Sequence, residues 1–237
     1  MESDFRDLAV KSWNFLRNGL FPVYCLNCQK EGQKICADCA SFVLEKSLLV
    51  CPFCHTENEE GETCKLCADK TFLDGSAALG FYHQPILRQL IQSWKFNGEP
   101  MAEKILLKFI SEQKPQFILP PIDWYVTAIP LHAARQRERG FNQAEIIARA
   151  VAKGIDSEYL DLLERVEWTD PQAGRSSDER LVGDLDGIFS TTGLIPPHVL
   201  ICDDVLTSGA TMDAAAQTLK IAGAEVVWGF TLARAGS

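Results

Sequence analysis

Apolar residues fall into two textures along the chain. From residue 70 onward they recur in runs that alternate between strand and helix periods; before residue 70 they are sparse and broken by cysteine pairs. Gly75–Tyr82 reads as one short strand or two. Ile86, Leu87, Leu90, Ile91 and Trp94 keep one face of a helix over Pro85–Lys95, and Met101–Ser111 forms another. Pro115, Pro120 and Pro121 mark a loop. Trp124–Pro130 reads as a buried strand, Asn142–Lys153 as a helix and Tyr159–Val166 as a strand or helix end. Val199–Val205 is a continuous apolar strand, Thr211–Ala222 a helix and Glu225–Ala233 a last strand. Strands alternating with helices of this length imply right-handed crossovers and a mostly parallel sheet flanked by helices, an α/β fold. Ligands on such sheets sit at the carboxyl ends of the strands, which directs the search to the loops after residues 130 and 202.

Ahead of this region, Phe5, Leu8, Ala9, Leu16 and Leu20 keep one face of a helix over residues 4–20, with Asp4 at its start and Pro22 beyond its end. A packing helix is the plain expectation; docking on a membrane surface or partner through Trp13 and Arg17 is the sharper one. Three units follow: the helix at 1–20, a cysteine segment at 21–70 and an α/β domain at 71–237.

The 237 residues are 46% hydrophobic, ordinary for a folded chain. Lys and Arg number 23 against 32 Asp and Glu, a formal charge of −9, which argues against a surface built wholesale to neutralise phosphates but leaves room for a local basic groove. No apolar run reaches the roughly 18–20 residues of a membrane span, and Met1-Glu2-Ser3-Asp4 lacks the basic and apolar stretches of a secretion signal, so a cytoplasmic location is expected.

Eight of the nine cysteines form four C-x-x-C pairs: Cys25/Cys28, Cys36/Cys39, Cys51/Cys54 and Cys64/Cys67. In a reducing compartment this spacing predicts two structural zinc sites of four cysteines each rather than disulfides. Sequential pairing joins Cys25, Cys28, Cys36 and Cys39, then Cys51, Cys54, Cys64 and Cys67; it closes shorter loops than a cross-braced arrangement and is therefore favoured. His55 follows Cys54 but need not be a ligand. A segment this short builds little core of its own, so metal must hold it together. It carries five basic and eight acidic side chains, and each zinc tetrathiolate adds −2, so contact with protein is expected more than contact with DNA. Cys202 reads as a core residue.

The strand ending near Cys202 is followed by Asp203 and Asp204, then by Thr207, Ser208, Gly209, Ala210 and Thr211 leading into a helix. Small residues let backbone N–H groups approach an anion, and the helix adds its positive end. Beside them, two carboxylates can accept hydrogen bonds from sugar hydroxyls. The combination predicts a ribose 5-phosphate site and is not a Walker loop. The earlier strand ends at Ile129-Pro130-Leu131-His132, followed by Arg135, Arg137 and Arg139, whose guanidinium forks suit pyrophosphate, and by Gly140-Phe141-Asn142-Gln143. Arg135, Arg137, Lys95 and the aromatics Trp94, Phe96 and Phe141 are candidates to track a single strand of DNA by charge and stacking.

These motifs together resemble the ComF family (also described with GntX), the phosphoribosyltransferase-like proteins of natural competence. The likeness runs through the helix before Pro22, the four C-x-x-C pairs, Trp94-Lys95-Phe96-Asn97-Gly98, Ile129-Pro130-Leu131, Arg139-Gly140-Phe141-Asn142-Gln143, Gln172 with Glu179-Arg180, Asp203 through Thr211, Ala222-Gly223-Ala224 and Ala233-Arg234. It implies a type I phosphoribosyltransferase fold and a cytoplasmic role in handling incoming single-stranded DNA during transformation. Its implied partners are that DNA, uptake or recombination-loading proteins, and peripheral contact with an inner-membrane channel. Two departures stand out: Arg175 and Asp184 occupy places where the family usually has leucine and asparagine, and Ser208 replaces the commoner threonine.

If the site transfers pentosyl groups, Thr207–Thr211 hold the 5-phosphate and Asp203 and Asp204 the ribose. Pro130, Leu131, His132 and Arg139 then face pyrophosphate, and Mg2+ neutralises the leaving group of phosphoribosyl pyrophosphate. Two alternatives stay open: a nucleotide-salvage transferase that releases pyrophosphate, and an inactive module that binds single-stranded DNA or a phosphoribosyl group.

Overall fold

The computed structural model describes residues 22–44, 48–56, 60–113, 119–131, 136–137, 140–166 and 187–235. The helix expected over residues 4–20, and His132, Arg135, Arg139, Gln172, Arg175, Glu179, Arg180 and Asp184, lie outside the described residues.

Eight strands and six helices follow one another along the described chain. They are α1 (Ala37–Leu44), β1 (Leu48–Leu49), α2 (Lys65–Ala68), β2 (Gly75–Phe81), α3 (Pro85–Asn97), α4 (Pro100–Gln113) and β3 (Tyr125–Ala128), then α5 (Gln143–Gly154), β4 (Glu158–Tyr159), β5 (Leu163–Arg165), β6 (Phe189–Thr191), β7 (His198–Leu206), α6 (Ala210–Ile221) and β8 (Val226–Arg234). The six-stranded sheet runs β1-β2-β8-β7-β3-β4, parallel except for β1, and β5 and β6 form a separate hairpin. The α/β class and the mostly parallel sheet expected from the alternation are therefore present. The expected apolar stretches become β2, β3, β7 and β8, and the helices begin within a residue or two of their expected starts. The cysteine segment builds more than knuckles: it supplies α1 and β1, and Cys25, Cys36, Cys39 and Val43 join the core.

Strand order explains where a ligand can sit. From β3 the chain crosses by α5 to β4 on one side, whereas from β7 it crosses by α6 to β8 on the other. Right-handed crossovers in opposite directions put α5 and α6 on opposite faces and leave a crevice between the carboxyl ends of β3 and β7. These two strands pair in register, with Ala128 opposite Cys202. The helices α3, α4 and α5 pack together, and α1 joins them over β2.

Local chemistry sets the element ends. Asn142 caps α5: its side chain accepts a hydrogen bond from Ala144 N–H at 3.1 Å and donates one to Ile129 O at 3.0 Å, tying the helix start to the end of β3. Gly98 ends α3 in the left-handed region at φ 59°, where a side chain is disfavoured, and its N–H closes on Trp94 O. Asp213, buried in α6, accepts hydrogen bonds from Phe72 and Leu73 N–H at 2.7 and 3.0 Å; burial raises its pKa and these two donors act against that. Lys220 of α6 pairs with Asp74 at 2.8 Å, and Asp74 also accepts from Val227 N–H. The segment leading out of the cysteines is thus stitched to both α6 and β8.

Candidate functional site

The interior strand β7 carries Asp203 and Asp204 within its length and continues to Leu206, one residue beyond the expected end. Successive strand residues point to opposite faces. Asp204, only 8% exposed, meets Lys95 Nζ from the last turn of α3 at 2.5 Å. Asp203, half-buried, accepts Asp204 N–H through Oδ1 at 2.7 Å. Burial, with the neighbouring Asp204 charge, pushes the Asp203 carboxyl up to about 7; the Asp204 N–H, Lys95 and Arg165 act the other way. A carboxyl poised near neutrality beside a paired one is suited to accept hydroxyl groups or a cation.

After Leu206 the chain turns through Thr207 and Ser208, both exposed, to Gly209, which starts α6 from the left-handed region at φ 81°. Ser208 Oγ accepts Ala210 N–H at 3.4 Å. Among the described residues, the N–H groups of Ser208, Gly209 and Thr211 meet no backbone carbonyl. A twelve-residue helix therefore presents open donors and its positive end beside the acidic pair.

The neighbouring loop starts where Ile129 N–H bonds to Cys202 O at 3.0 Å, so Pro130 and Leu131, both half-buried, emerge beside β7. Arg137 is exposed. Phe141 is half-buried with its ring against Trp94, centroids 6.2 Å apart. Trp94 itself is 1% exposed and donates from Nε1 to Glu103 at 3.0 Å, so it is core and offers no face to a base. Phe96, one position beyond Lys95, is 70% exposed and borders a groove of about 570 Å³ with Leu26, Gln89, Gln92 and Asn97. A second cavity, about 370 Å³, lies around Trp124 and Ser157, at the start of β3 and away from the strand carboxyl ends.

The eight paired cysteines gather as two quartets, Cys25-Cys28-Cys36-Cys39 and Cys51-Cys54-Cys64-Cys67, with the ligand atoms of each within 4.8 Å of one another. This is the sequential arrangement. Burial opposes ionisation of Cys25, but backbone donors at Cys28, Cys36 and Asn27 outweigh it and bring the thiol down to about 6. Side-chain and backbone bonds from Thr56 do the same for Cys54, also to about 6. Burial and the other thiols push Cys67 up to about 12. Four thiols so close cannot all ionise unaided, and a divalent thiophilic cation resolves the conflict; both quartets can hold zinc. His55 is not in either quartet: its Nδ1 faces Arg234 Nε at 3.4 Å.

Three residues at the site carried no warning in spacing. Pro52 and Phe53 lie inside the third C-x-x-C pair, yet a Cβ built on Gly209 would sit 3.2 Å from the Phe53 ring and 3.4 Å from Pro52 O. Arg234, 1% exposed at the end of β8, donates from Nη2 to Pro52 O at 2.6 Å. These contacts join positions far apart in sequence, which no local pattern reports. The Lys95 pairing with Asp204 is likewise tertiary.

No family model matches the sequence. Among known proteins, competence protein ComFC of Streptococcus pneumoniae is 30% identical over 202 residues, covering 84% of this chain and 87% of that protein. Competence protein F of Haemophilus influenzae is 27% identical over 234 residues, 91% of this chain and 98% of the relative. Competence protein ComFC of Bacillus subtilis is 26% identical over 217 residues, 86% of each. Matched at 30% identity over 84% of its length to a competence protein ComFC, the chain belongs to the ComF family of competence proteins.

Proposed function

We propose that this protein acts in natural competence by binding a phosphoribosyl pyrophosphate group at the β7–α6 turn while handling incoming single-stranded DNA on the cytoplasmic side. The observation that carries the reading is the set of open N–H groups at Ser208, Gly209 and Thr211 beside Asp203 and Asp204. Thr207–Thr211 take the 5-phosphate, the two aspartates take the ribose hydroxyls, and Pro130 and Leu131 with His132 and Arg139 face pyrophosphate. Asp203 and Asp204 are also the residues that would hold Mg2+, together with ligand oxygens; the ion supplies neutralisation of pyrophosphate charge. Lys95, already on Asp204, stands where it can exchange that carboxylate for a phosphate oxygen.

Two zinc ions hold the segment 21–70, which docks on the rest of the chain, 71–237, and faces protein partners of the uptake or recombination-loading machinery, an inner-membrane channel among them. Exposed Phe96 beside Lys95 favours a binding role toward the DNA strand, with Arg135 and Arg137 adding charge. Turnover as a pentosyl transferase is the rival outcome.

Calorimetry with phosphoribosyl pyrophosphate and Mg2+ tests the site, with Asp203→Ala/Asp204→Ala as control. Binding by the parent and its loss in the double variant are expected. No heat from either protein sinks the ligand assignment, and pyrophosphate release with one nucleobase turns the reading to salvage.

A further inference from the structure

The loop that presents the open N–H groups does not rest on its own sheet alone. Gly209 sits against the Cys51–Cys54 turn of the second quartet, with the Phe53 ring and Pro52 O bordering the space a side chain would enter. That knuckle is tied to the end of β8 by Arg234 Nη2 on Pro52 O, and its Nε faces His55. The end of β8 is in turn tied to the base of the loop: Arg234 pairs in register with Leu206, and Ala235 N–H bonds to Leu206 O at 2.8 Å. The three pieces close a ring: loop to knuckle, knuckle to Arg234, Arg234 back to the strand that carries the loop. Arg234 is the buried cation bonded to the knuckle, and a zinc tetrathiolate centre carries a formal −2 that its guanidinium offsets.

We propose that the Cys51–Cys67 knuckle, through Pro52 and Phe53, is a positioning element for the loop at Thr207–Thr211, so that metal in this quartet governs how well the loop holds a phosphate group. The part about phosphate rests on the reading of the loop given above; the brace itself does not. The left-handed φ at 209 favours glycine, and a Cβ there would press on the Phe53 ring at 3.2 Å, so loop and knuckle lie in close contact. When the quartet is empty its four cysteines no longer fix the Cys51–Cys54 turn, Phe53 leaves Gly209, and the loop N–H groups lose their common direction. The relation is reciprocal: an anion that orders the loop tightens the quartet's hold on its metal.

The test uses the full zinc-loaded chain with Phe53→Ala and Phe53→Leu, neither of which removes a thiolate. Three quantities are read: zinc per chain, amide hydrogen exchange at 207–211, and calorimetric affinity for phosphoribosyl pyrophosphate with Mg2+. Two zinc ions are expected in every variant. Exchange at 207–211 in Phe53→Ala should quicken about tenfold and affinity should fall about tenfold, with Phe53→Leu restoring most of both. A merely structural role would lower the melting temperature and leave these loop readouts, and their rescue by leucine, unmoved. Loop exchange and affinity equal to the parent's in Phe53→Ala overturn the proposal. If that variant does not load zinc, Phe53→Leu carries the comparison, with about a threefold effect expected and none overturning it. If the parent itself gives no heat with phosphoribosyl pyrophosphate, the anion assignment fails, and hydrogen exchange still decides the brace.

Discussion

Asp203 carries a carboxyl held far from its ordinary state. Its carboxyl titrates near 7 because the strand end buries it and Asp204 lies alongside. The folded protein therefore binds a proton here that the unfolded chain, with an ordinary carboxyl, releases. The sign follows: this group's contribution to stability is full below the ordinary carboxylate range and is lost as pH rises through about 7. Asp203→Asn keeps the acceptor for Asp204 N–H and removes the charge. It should stabilise the protein by on the order of 2–4 kcal/mol near pH 8 and by clearly less near pH 5. Thermal melts of both proteins across that range check it, and a gain that does not shrink on acidification would contradict the assignment.

At the scale of elements, the join between β3 and α5 shows how a motif with a functional look also does structural work. Asn142 sits in the run Arg139-Gly140-Phe141-Asn142-Gln143, yet its side chain caps α5 and holds Ile129 O. Asn142→Ala removes both bonds and should cost about 1–2 kcal/mol, read as a lower denaturant midpoint at unchanged slope. No loss would mean the cap contributes nothing beyond what water supplies. The helices α3 to α6 and the strands β2, β3, β7 and β8 were legible because each buries one face or both, and burial writes a period into the sequence. The hairpin of β5 and β6 was half visible, since Leu163–Arg165 offers too few residues to show a period. The short elements α1 and β1 were hidden for another reason: their positions answer to cysteine geometry, which has no period. In the site, Asp203, Asp204 and Thr207 through Thr211 were legible because strand, acidic pair and small-residue turn are contiguous. Phe53, Arg234 and the partner of Lys95 were not, because only the folded chain brings them to the same place.

For the molecule as a whole, the cysteine segment is a working part of the α/β body. Cys25, Cys36 and Cys39 lie in the core with the helices that cover the sheet, and Lys34 pairs with Glu99 just beyond α3. Where zinc fills both quartets, its chelation should therefore lower the melting temperature of the entire chain by more than about ten degrees in one transition, since structural zinc sites contribute several kcal/mol each to folding. Circular dichroism with and without a strong chelator measures this. Loss of the segment alone, with the helical signal melting at its former temperature, would show that the shared core carries little of the stability. Among the described residues no helix is long and apolar enough to cross a membrane.

The two-residue strand β1, antiparallel to Ala77 and Ala78 of β2, is small, but together with Gly61 and Glu62 on Ser76 and Gly75 it covers the rim of a sheet that would otherwise end in unpaired backbone groups on an apolar strand. An open rim of that kind is a template onto which another chain can add. Starving the protein of zinc should therefore lead beyond loss of function, toward self-association through β2, with the metal acting as guardian of solubility as well as of shape.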